Sequence, residues 1–291
     1  MVIERALEKL RQANAASAGQ QQAAVSARPA VKKTPLVQPE VALISRPVFA
    51  RVAVDPQAIE LHRVVIPDVH AADDPRAGAA YRMLRTRLLH KLRSNQWKTL
   101  AITSPGPGDG KSLTALNLAA NVARDKTCDV FLIDLDMRNP SICRYLGARP
   151  PRELIEYFTG EGQPSEVFFS IGIDNLAIAG NTTSTDQASE LIAGNRLEEL
   201  LAYISTISAN PVVFIDLPPV LVTDEALLVA PRVDATLLVV AEGKTRRDSL
   251  ARATQVLAEF PLAGVVLNRS SEAVSKEAGY YYGYGYGAAK R

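Results

Sequence analysis

The stretch Ser104-Pro105-Gly106-Pro107-Gly108-Asp109-Gly110-Lys111-Ser112 decides the fold of this chain of 291 residues. It follows an apolar run over residues 99–103 and precedes a helical pattern over residues 113–123. This order of strand, glycine-rich turn and helix is typical of a phosphate-binding loop. Its glycines allow a tight turn and a close approach to a ligand, and its N–H groups and the helix N-terminus attract anionic oxygens. The sequence therefore predicts a site for the phosphates of a nucleotide.

Two side chains at the end of this stretch have a chemistry of their own. Lys111 is placed to reach the β- and γ-phosphates, and the Ser112 hydroxyl is placed to ligate Mg²⁺. The usual pattern has a glycine five positions before the glycine of Gly-Lys, and Pro105 stands there instead, so the loop is a variant. The residues expected to contact the nucleotide are Gly106, Pro107, Gly108, Asp109, Gly110, Lys111, Ser112 and Leu113.

Apolar runs rich in β-branched residues alternate with helical patterns along the core of the chain. The runs lack an alternation of apolar and polar residues, which suits strands that are buried on both faces. This order predicts an α/β fold with a parallel sheet, right-handed crossovers and helices on both faces. The expected strands cover residues 100–103, 130–134, 176–179, 212–216, 236–240 and 264–267, and the expected helices cover residues 76–93, 111–124, 188–207, 226–229 and 247–260.

Acidic residues close two of the expected strands. Asp134 ends one apolar run, Asp136 follows two residues later, and Asp216 ends another run before two prolines. In an extended chain Asp134 and Asp136 would point to the same face. A single strand-end aspartate is commonly a turn former or a helix cap. Three of them at the sheet edge where ligands bind indicate a Mg²⁺ site beside the phosphate loop.

The chain before the core differs from the rest in charge and composition. Residues 1–97 contain 15 Lys and Arg against 8 Asp and Glu, whereas residues 98–291 contain 18 against 23. This asymmetry indicates an anionic partner for the first part, either a membrane surface or a protein, or simply a solvated tether. Without interleaved aromatic residues, nucleic acid is not an expected partner.

Two kinds of segment are expected within that first part. Residues 2–12 have the apolar stripe of a short amphipathic helix. The stretch from there to about residue 75 is rich in Ala, Gln and Pro. It is expected to be a mostly disordered linker up to about Ser45, followed by short extended pieces near residues 48–54 and 63–66.

The end of the chain has an unusual composition. Five of the nine tyrosines, at positions 280, 281, 282, 284 and 286, lie among alternating glycines. Such a segment is either a low-complexity tail that binds a partner through its aromatic rings or a set of phenol acceptors for the predicted ATP site. We expect Tyr280, Tyr281, Tyr282, Tyr284 and Tyr286 to be phosphoacceptors.

Several classes of protein are disfavoured by composition. Cys128 and Cys143 have no metal-binding spacing and indicate reduced thiols in a cytosolic protein. No apolar run approaches the roughly 20 residues needed to span a bilayer, and the N-terminus has no secretory signal. We therefore expect a cytoplasmic chain whose association with a membrane is indirect or superficial.

With these motifs together, the chain resembles the bacterial tyrosine autokinases of capsule and exopolysaccharide biosynthesis. The segments that carry the resemblance are residues 107–112, 133–140 and 214–219, together with the tyrosine cluster. Residues 2–10 further resemble the subgroup that accompanies exosortase-linked exopolysaccharide loci. The resemblance implies a P-loop NTPase-type fold, ATP and Mg²⁺ as cofactors, and phosphorylation of one subunit's tail by another.

The same resemblance implies partners and a division of the chain. An inner-membrane polysaccharide co-polymerase is the expected partner, a cognate tyrosine phosphatase is compatible with the family, and a homo-oligomer is expected. The family's subunit-contact motif is incomplete, because Ala79 stands in place of its glutamate ahead of Arg82 and Arg85. The expected parts are residues 1–75 as N-terminal helix and linker, 76–270 as kinase domain and 271–291 as a flexible tyrosine-rich tail.

Roles at the site follow from phosphoryl-transfer chemistry. Lys111 and the loop amides are assigned to the phosphates, and Ser112, Asp136 and Asp216 to the metal. Either Asp134 or Asp136 would accept the proton of the attacking tyrosine, so Lys111, Asp134, Asp136 and Asp216 form the expected catalytic set. Two further residues have two interpretations each: Arg138 contacts phosphate or pairs with Asp136, and Asn268 contacts adenine or terminates its strand.

Other nucleotide-binding classes remain as alternatives. Partitioning ATPases share this fold, but they carry a lysine at the loop position that is Gly106 here. A GTPase is disfavoured because residues 268–271, Asn-Arg-Ser-Ser, lack the acidic residue of a guanine-reading motif. The third alternative is an ATP-gated adaptor without kinase activity that uses the tail to dock on a membrane protein.

Overall fold

The computed structural model describes residues 48–66 and 75–270. The predicted amphipathic helix over residues 2–12 and the tyrosine cluster at residues 280–286 lie outside the described residues. Within those two ranges no helix combines the length and the apolar character needed to cross a bilayer.

The described residues form eight strands and nine α-helices in an alternating order. The strands are β1 (Ala50–Arg51), β2 (Thr99–Thr103), β3 (Asp129–Asp134), β4 (Phe169–Ser170), β5 (Leu176–Ala179), β6 (Pro211–Asp216), β7 (Ala235–Ala241) and β8 (Leu262–Asn268). The helices are α1 (Pro56–Leu61), α2 (Pro75–Asn95), α3 (Lys111–Val122), α4 (Ile142–Leu146), α5 (Leu154–Phe158), α6 (Ala188–Ala193), α7 (Arg196–Ile207), α8 (Glu225–Val229) and α9 (Arg247–Val256).

One sheet contains all of these strands, in the order β1-β4-β5-β3-β6-β2-β7-β8. Every neighbouring pair is parallel except β4 and β5, which are antiparallel. The predicted α/β fold with a parallel sheet is therefore confirmed, and the antiparallel pair is confined to the side that carries the short strands β1 and β4.

Successive residues of the central strands point to opposite faces of the sheet, and both faces are covered. On one face, side chains such as Leu100 and Leu132 pack in a cluster with α2, α3 and α4. On the other face, side chains such as Ala101 and Phe131 pack in a cluster with α5, α6, α7, α8 and α9. Because both faces are buried, the strands are apolar at nearly every position, which explains their uninterrupted hydrophobic runs.

One predicted helix is interrupted in the structure. The pattern over residues 188–207 predicts a continuous helix, but α6 ends at Ala193 and α7 begins at Arg196. Gly194 between them is extended, with φ −73° and ψ −176°. Arg232 donates hydrogen bonds to the carbonyl oxygens at the end of α6, from Ile192 to Gly194. The Arg232 side chain, distant in sequence, thus provides hydrogen-bond donors for the free carbonyl oxygens at the end of α6. Sequence periodicity does not reveal such a contact.

Residues 48–66, which the sequence analysis assigned to the linker, contribute to the domain core. β1 pairs with β4 in parallel, and α1 packs on α4 through a hydrogen bond from Asp55 N–H to the carbonyl oxygen of Leu146, at 2.9 Å. Ile59, Val64 and Ile66 are buried in the cluster that also contains α3. The extended piece expected near residues 48–54 contains a strand of only two residues, and α1 was not predicted at all. A six-residue helix that begins at a proline carries too little periodicity to be recognised.

We expect Ile59→Ala to destabilise the domain by about 2–4 kcal/mol, because it leaves a cavity in the core. Ile59 is 1% exposed, whereas Leu61 in the same helix is 77% exposed. Leu61→Ala is therefore the matched control and should change the free energy of unfolding by less than about 0.5 kcal/mol. Denaturant unfolding of the full chain would measure both. Equal midpoints for Ile59→Ala and the wild type would contradict the assignment of this segment to the core.

Candidate nucleotide-binding and catalytic site

The order of the strands brings the predicted site residues to one edge of the sheet. β6 lies between β3 and β2, so that Asp216 is the register partner of Asp134 on one side and of Ile102 on the other. The chain leaves β2 at Thr103 and enters the loop of residues 104–110, which ends where α3 begins. The phosphate loop and the three aspartates, Asp134, Asp136 and Asp216, which we call the carboxylate cluster, therefore lie side by side.

The loop is held in shape by contacts within it. The Ser104 hydroxyl donates a hydrogen bond to the carbonyl oxygen of Gly106, at 2.8 Å, and the Gly106 N–H donates to the buried Asp109 carboxylate, at 3.2 Å. Gly108 and Gly110 have φ values of +72° and +92°, which favour glycine. Gly110 is the residue immediately before α3, so the first N–H groups of that helix point into the loop.

Asn268, at the end of β8, supports the loop from outside. Its side-chain N–H₂ donates a hydrogen bond to the carbonyl oxygen of Asp109, at 3.0 Å, and its side-chain oxygen accepts one from the N–H of Arg269, at 2.9 Å. A Cβ atom on Gly110 would overlap the Asn268 amide nitrogen. Asn268 therefore positions the loop. Its predicted contact with adenine stays a prediction.

The ammonium group of Lys111 lies within the carboxylate cluster. Its Nζ is 2.6 Å from Asp136 Oδ2, 3.6 Å from Asp216 Oδ2 and 2.9 Å from the Ser112 hydroxyl. Burial opposes the charged form of this lysine, but Asp216 and Asp136 outweigh it and raise the pKa of Lys111. The charge of the lysine thus partly offsets that of the two carboxylates beside it.

Asp134 has both carboxylate oxygens bound by backbone N–H groups. One oxygen accepts from Asp136, at 3.2 Å, and the other accepts from Ser141 and Ile142, at 2.9 and 3.0 Å. Burial raises the pKa of Asp134 to about 6, against the lowering effect of these N–H groups and of Lys111. Asp134 therefore holds together the turn that carries Asp136 and the start of α4.

Asp136 and Asp216 have fewer partners than Asp134. Asp136 uses one oxygen for Lys111 and the other for the N–H of Asn139, at 3.1 Å. Asp216 is fully buried, and neither of its oxygens makes a hydrogen bond of normal geometry to any described residue. Burial raises the pKa of Asp216 to about 7, with Lys111 acting in the opposite direction. Its polar neighbours include the Lys111 ammonium group, at 3.6 Å, and the Ser112 hydroxyl, and both lower its pKa. A buried carboxylate with so few partners is costly in a core and is expected where a ligand completes the site.

The donors around Lys111 fit the magnesium ion that the resemblance implies. Mg²⁺ in nucleotide sites takes one or two carboxylates and keeps its other positions for water and phosphate oxygens. The oxygens of Asp216 and the Ser112 hydroxyl are such donors, and Asp136 contacts the same Lys111 ammonium group, at 2.6 Å. Among the described residues no group of three or more His, Cys, Asp or Glu residues is arranged to hold a metal by itself.

Arg138 does not pair with Asp136, which was one of its two interpretations. Its Nε is 2.7 Å from Oε1 of Glu225 in α8, a carboxylate whose side chain is fully buried. The same guanidinium group lies 3.4 Å from the Ser189 hydroxyl and 3.9 Å from Asp186. The interpretation as a partner of Asp136 is therefore wrong, because α8 places a better-matched carboxylate beside Arg138. Contact with phosphate remains a prediction.

Sequence reasoning missed two side chains that support the site. Asn181 is buried beyond β5 and accepts a hydrogen bond from the Ile155 N–H, at 2.7 Å, while its amide donates to the carbonyl oxygen of Asp134, at 3.4 Å. Glu153 binds the backbone and hydroxyl groups of Thr182 and Thr183 in the same loop. Polar loop residues of this kind carry no sequence signal, because only the fold brings them near Asp134.

A glycine-rich loop that links a central parallel strand to a helix and faces strand-end carboxylates defines a P-loop NTPase. The family model described as "ParA: NUBPL iron-transfer P-loop NTPase" matches residues 96–291, and the chain belongs to this family. The match covers two thirds of the chain.

Relatives within this fold carry the names of tyrosine kinases. The chain is 29% identical over 203 residues to the tyrosine-protein kinase YwqD of Bacillus subtilis, covering 69% of this chain and 84% of that protein. It is 28% identical over 192 residues to the tyrosine-protein kinase CpsD of Streptococcus pneumoniae serotype 4, covering 64% and 82%. The solved BceF tyrosine kinase domain superposes with a TM-score of 0.61 at 25% identity, covering 77% of this chain and 93% of that domain.

We expect the free energy of unfolding of the protein without nucleotide to fall as the pH rises from about 4 to about 7, and Asp216→Asn to weaken this dependence. The pKa of Asp216 rises from 3.8 to about 7 on folding. Between these values the folded state holds a proton that the unfolded state has released, so raising the pH lowers the free energy of unfolding. Asp216→Asn should reduce the fall in the free energy of unfolding over this pH range by about 1–4 kcal/mol.

Denaturant unfolding at several pH values would measure this difference. Asp174→Asn is the matched control, because it makes the same substitution at an exposed aspartate. Parallel curves for Asp216→Asn and the wild type would show that Asp216 does not titrate in this range.

Proposed function

We propose that this chain is an ATP-dependent protein-tyrosine kinase that phosphorylates the tyrosine cluster of its own tail. The observation that carries the proposal is that Lys111, Asp136 and Asp216 lie together beside the loop amides, and that the buried Asp216 oxygens have no hydrogen bond of normal geometry. Such a set positions a triphosphate and neutralises its charge, which is most of what phosphoryl transfer requires. The names of its relatives make protein tyrosine the acceptor.

The residues of the site divide the work of binding the nucleotide. The N–H groups of the loop and of the first turn of α3 bind the phosphate oxygens. Lys111 leaves the carboxylates and contacts the β- and γ-phosphates, while Ser112 and Asp216 ligate Mg²⁺. When bound, Mg²⁺ neutralises charge on the phosphate oxygens. Asn268 keeps the loop in place through the Asp109 carbonyl oxygen.

Asp136 is the better candidate for the base. A tyrosine phenol with a pKa of about 10 is about 99.9% protonated at pH 7, so a group near the γ-phosphate must accept its proton during attack. Both oxygens of Asp134 are occupied by backbone N–H groups. Once Lys111 moves to the phosphates, Asp136 Oδ2 becomes free. We therefore assign proton acceptance to Asp136 and a positioning role to Asp134.

A cleft beside Arg138 is suited to the incoming tyrosine. It has a volume of about 550 Å³ and is lined by Arg138 and by residues that follow β6 and begin α8. Val222 and Leu227 in its wall are 60% and 36% exposed. Apolar side chains next to a guanidinium group favour an aromatic ring with a polar tip. The acceptor would enter here, two residues along the chain from Asp136.

Transfer between two chains, and the polysaccharide role, are the finer parts of the proposal. β8 ends against the phosphate loop, and at about 3.3–3.6 Å per residue a tail of ten residues spans up to about 35 Å. Length therefore permits transfer within one chain or between two, and the family resemblance favours two. It also favours a membrane co-polymerase as partner and a role in exopolysaccharide or capsule production, in the exosortase-linked subgroup.

The second candidate function is an ATPase switch or ATP-gated adaptor without kinase activity. The match to a ParA-type family model favours it, since that description does not name a kinase. The position Gly106, where partitioning ATPases have lysine, speaks against it.

We expect the purified chain to become phosphorylated on tail tyrosines when it is incubated with Mg²⁺ and ATP. Lys111→Met should lower the signal by at least about 100-fold, because it removes the charge that positions the phosphates. Replacing Tyr280, Tyr281, Tyr282, Tyr284 and Tyr286 together by Phe should also remove it. Mass spectrometry after incubation would locate the phosphate.

Two outcomes would overturn the kinase assignment. Phosphate on serine or threonine would mean a different acceptor chemistry. ATP hydrolysis without any protein phosphorylation would favour the switch. Tyr203→Phe is the matched control for the tyrosine replacements, because Tyr203 lies on α7 in the domain and should not affect the signal.

We expect transfer between chains when two variants, neither of which can phosphorylate itself, are mixed. Lys111→Met keeps the acceptor tyrosines but lacks the donor site, and the variant with all five tail tyrosines replaced keeps the donor site but lacks acceptors. In the mixture, the tail of the Lys111→Met chain should become phosphorylated at a rate that rises with the concentration of the other variant. If the mixture shows no phosphorylation while the wild type is phosphorylated, transfer occurs within one chain.

A further inference from the structure

Lys244 lies in the turn between β7 and α9, and this turn lies next to the phosphate loop. Two hydrogen bonds of Ala241 close the turn. Its N–H donates to the Thr245 hydroxyl, at 2.8 Å, and its carbonyl oxygen accepts from the Lys244 N–H, at 3.3 Å. The Glu242 N–H donates to the carbonyl oxygen of Asn268, at 2.9 Å. Asn268 in turn holds the loop, so the turn and the loop are supported together.

The side chain of Lys244 reaches the loop at Gly108. A Cβ atom built on Gly108 would overlap the Lys244 ammonium nitrogen and would lie 3.7 Å from its Cε. Gly108 also has a φ of +72°, which side chains rarely adopt. The absence of a side chain at position 108 therefore leaves room for the ammonium group directly against the loop backbone.

The charges around the loop distinguish this lysine from Lys111. Lys111 is paired with Asp136 and faces Asp216, and the Asp109 carboxylate binds the Gly106 N–H. Lys244 is exposed, and across residues 48–66 and 75–270 it makes no salt bridge. A positive charge beside phosphate-binding amides, with no anion paired to it, is placed to attract an anionic ligand at the loop.

We propose that Lys244, in the turn that follows β7 of the same chain, binds the phosphates of the nucleotide and supplies a second cation to the loop. The ammonium nitrogen of Lys244 lies next to Gly108, and Lys244 belongs to a different part of the fold from Lys111, the first cation at the loop. The inference rests on the proposed ATP binding at the loop and not on transfer to tyrosine. In this proposal Lys244 contacts the phosphates of ATP directly, and its positive charge strengthens their binding.

Equilibrium binding to the full chain tests this proposal, with ATP, ADP and inorganic tripolyphosphate as separate probes in the presence of Mg²⁺. Lys244→Met should weaken the binding of each probe by about 5- to 20-fold, because one charge-assisted contact is lost. Lys244→Arg should bind within about threefold of the wild type, because it keeps the charge. Raising the salt concentration should reduce the difference between Lys244→Met and the wild type.

Arg247→Met is the matched control, since Arg247 is an exposed cation at the start of α9, and it should bind all probes like the wild type. Weakened ATP binding by Lys244→Met with unchanged tripolyphosphate binding would overturn the phosphate contact in favour of a base or ribose contact. Wild-type affinity for ATP in Lys244→Met would also overturn it. If the wild type itself binds neither ATP nor tripolyphosphate, the proposed function fails as well. If it binds both but does not phosphorylate tyrosine, only the kinase assignment fails.

Discussion

Burial of the Lys111 ammonium among the strand-end carboxylates is the interaction on which the site depends. Without the lysine, Asp136 and Asp216 would be buried charges with few compensating partners, which a core tolerates poorly. With it, the cluster is neutralised until a nucleotide offers the lysine other oxygens. The positive charge of Lys111 thus has two roles: it offsets the carboxylates in the free protein, and it contacts phosphate in the proposed complex. When Lys111 moves to the phosphates, it frees the carboxylate oxygens that the metal and the tyrosine acceptor require.

The turn after β3 connects this cluster to a part of the chain that lies far away in sequence. Asp134 binds the N–H groups at the start of α4, and α4 is packed against α1. Gly147, at the end of α4, approaches Asp55 so closely that a Cβ atom would overlap the Asp55 side chain. The residues before α2 therefore stabilise the turn that carries Asp136. A change in that segment can reach the site through α4, without any contact with the nucleotide.

The loop is supported on its other side by two neighbouring elements of the sheet. β8 contributes Asn268 and the turn after β7 contributes Lys244, and both contact the loop between Gly108 and Gly110. These two residues depend on the parallel pairing of β7 with β2 and β8. The family resemblance describes the loop and the aspartates, whereas this lateral support is a property of the fold around them.

The sequence by itself determined the class of fold, the loop and the three aspartates. Each of these is a local pattern: uninterrupted apolar runs for buried strands, glycines before Gly-Lys-Ser for a phosphate loop, and an aspartate at a strand end. Only the tertiary structure decided which residues meet. In the fold, Arg138 pairs with Glu225 instead of Asp136, both oxygens of Asp134 accept hydrogen bonds from backbone N–H groups, and Asn268 contacts the loop. Those contacts join residues up to 159 positions apart. They follow from strand order and register, which spacing along the chain does not specify.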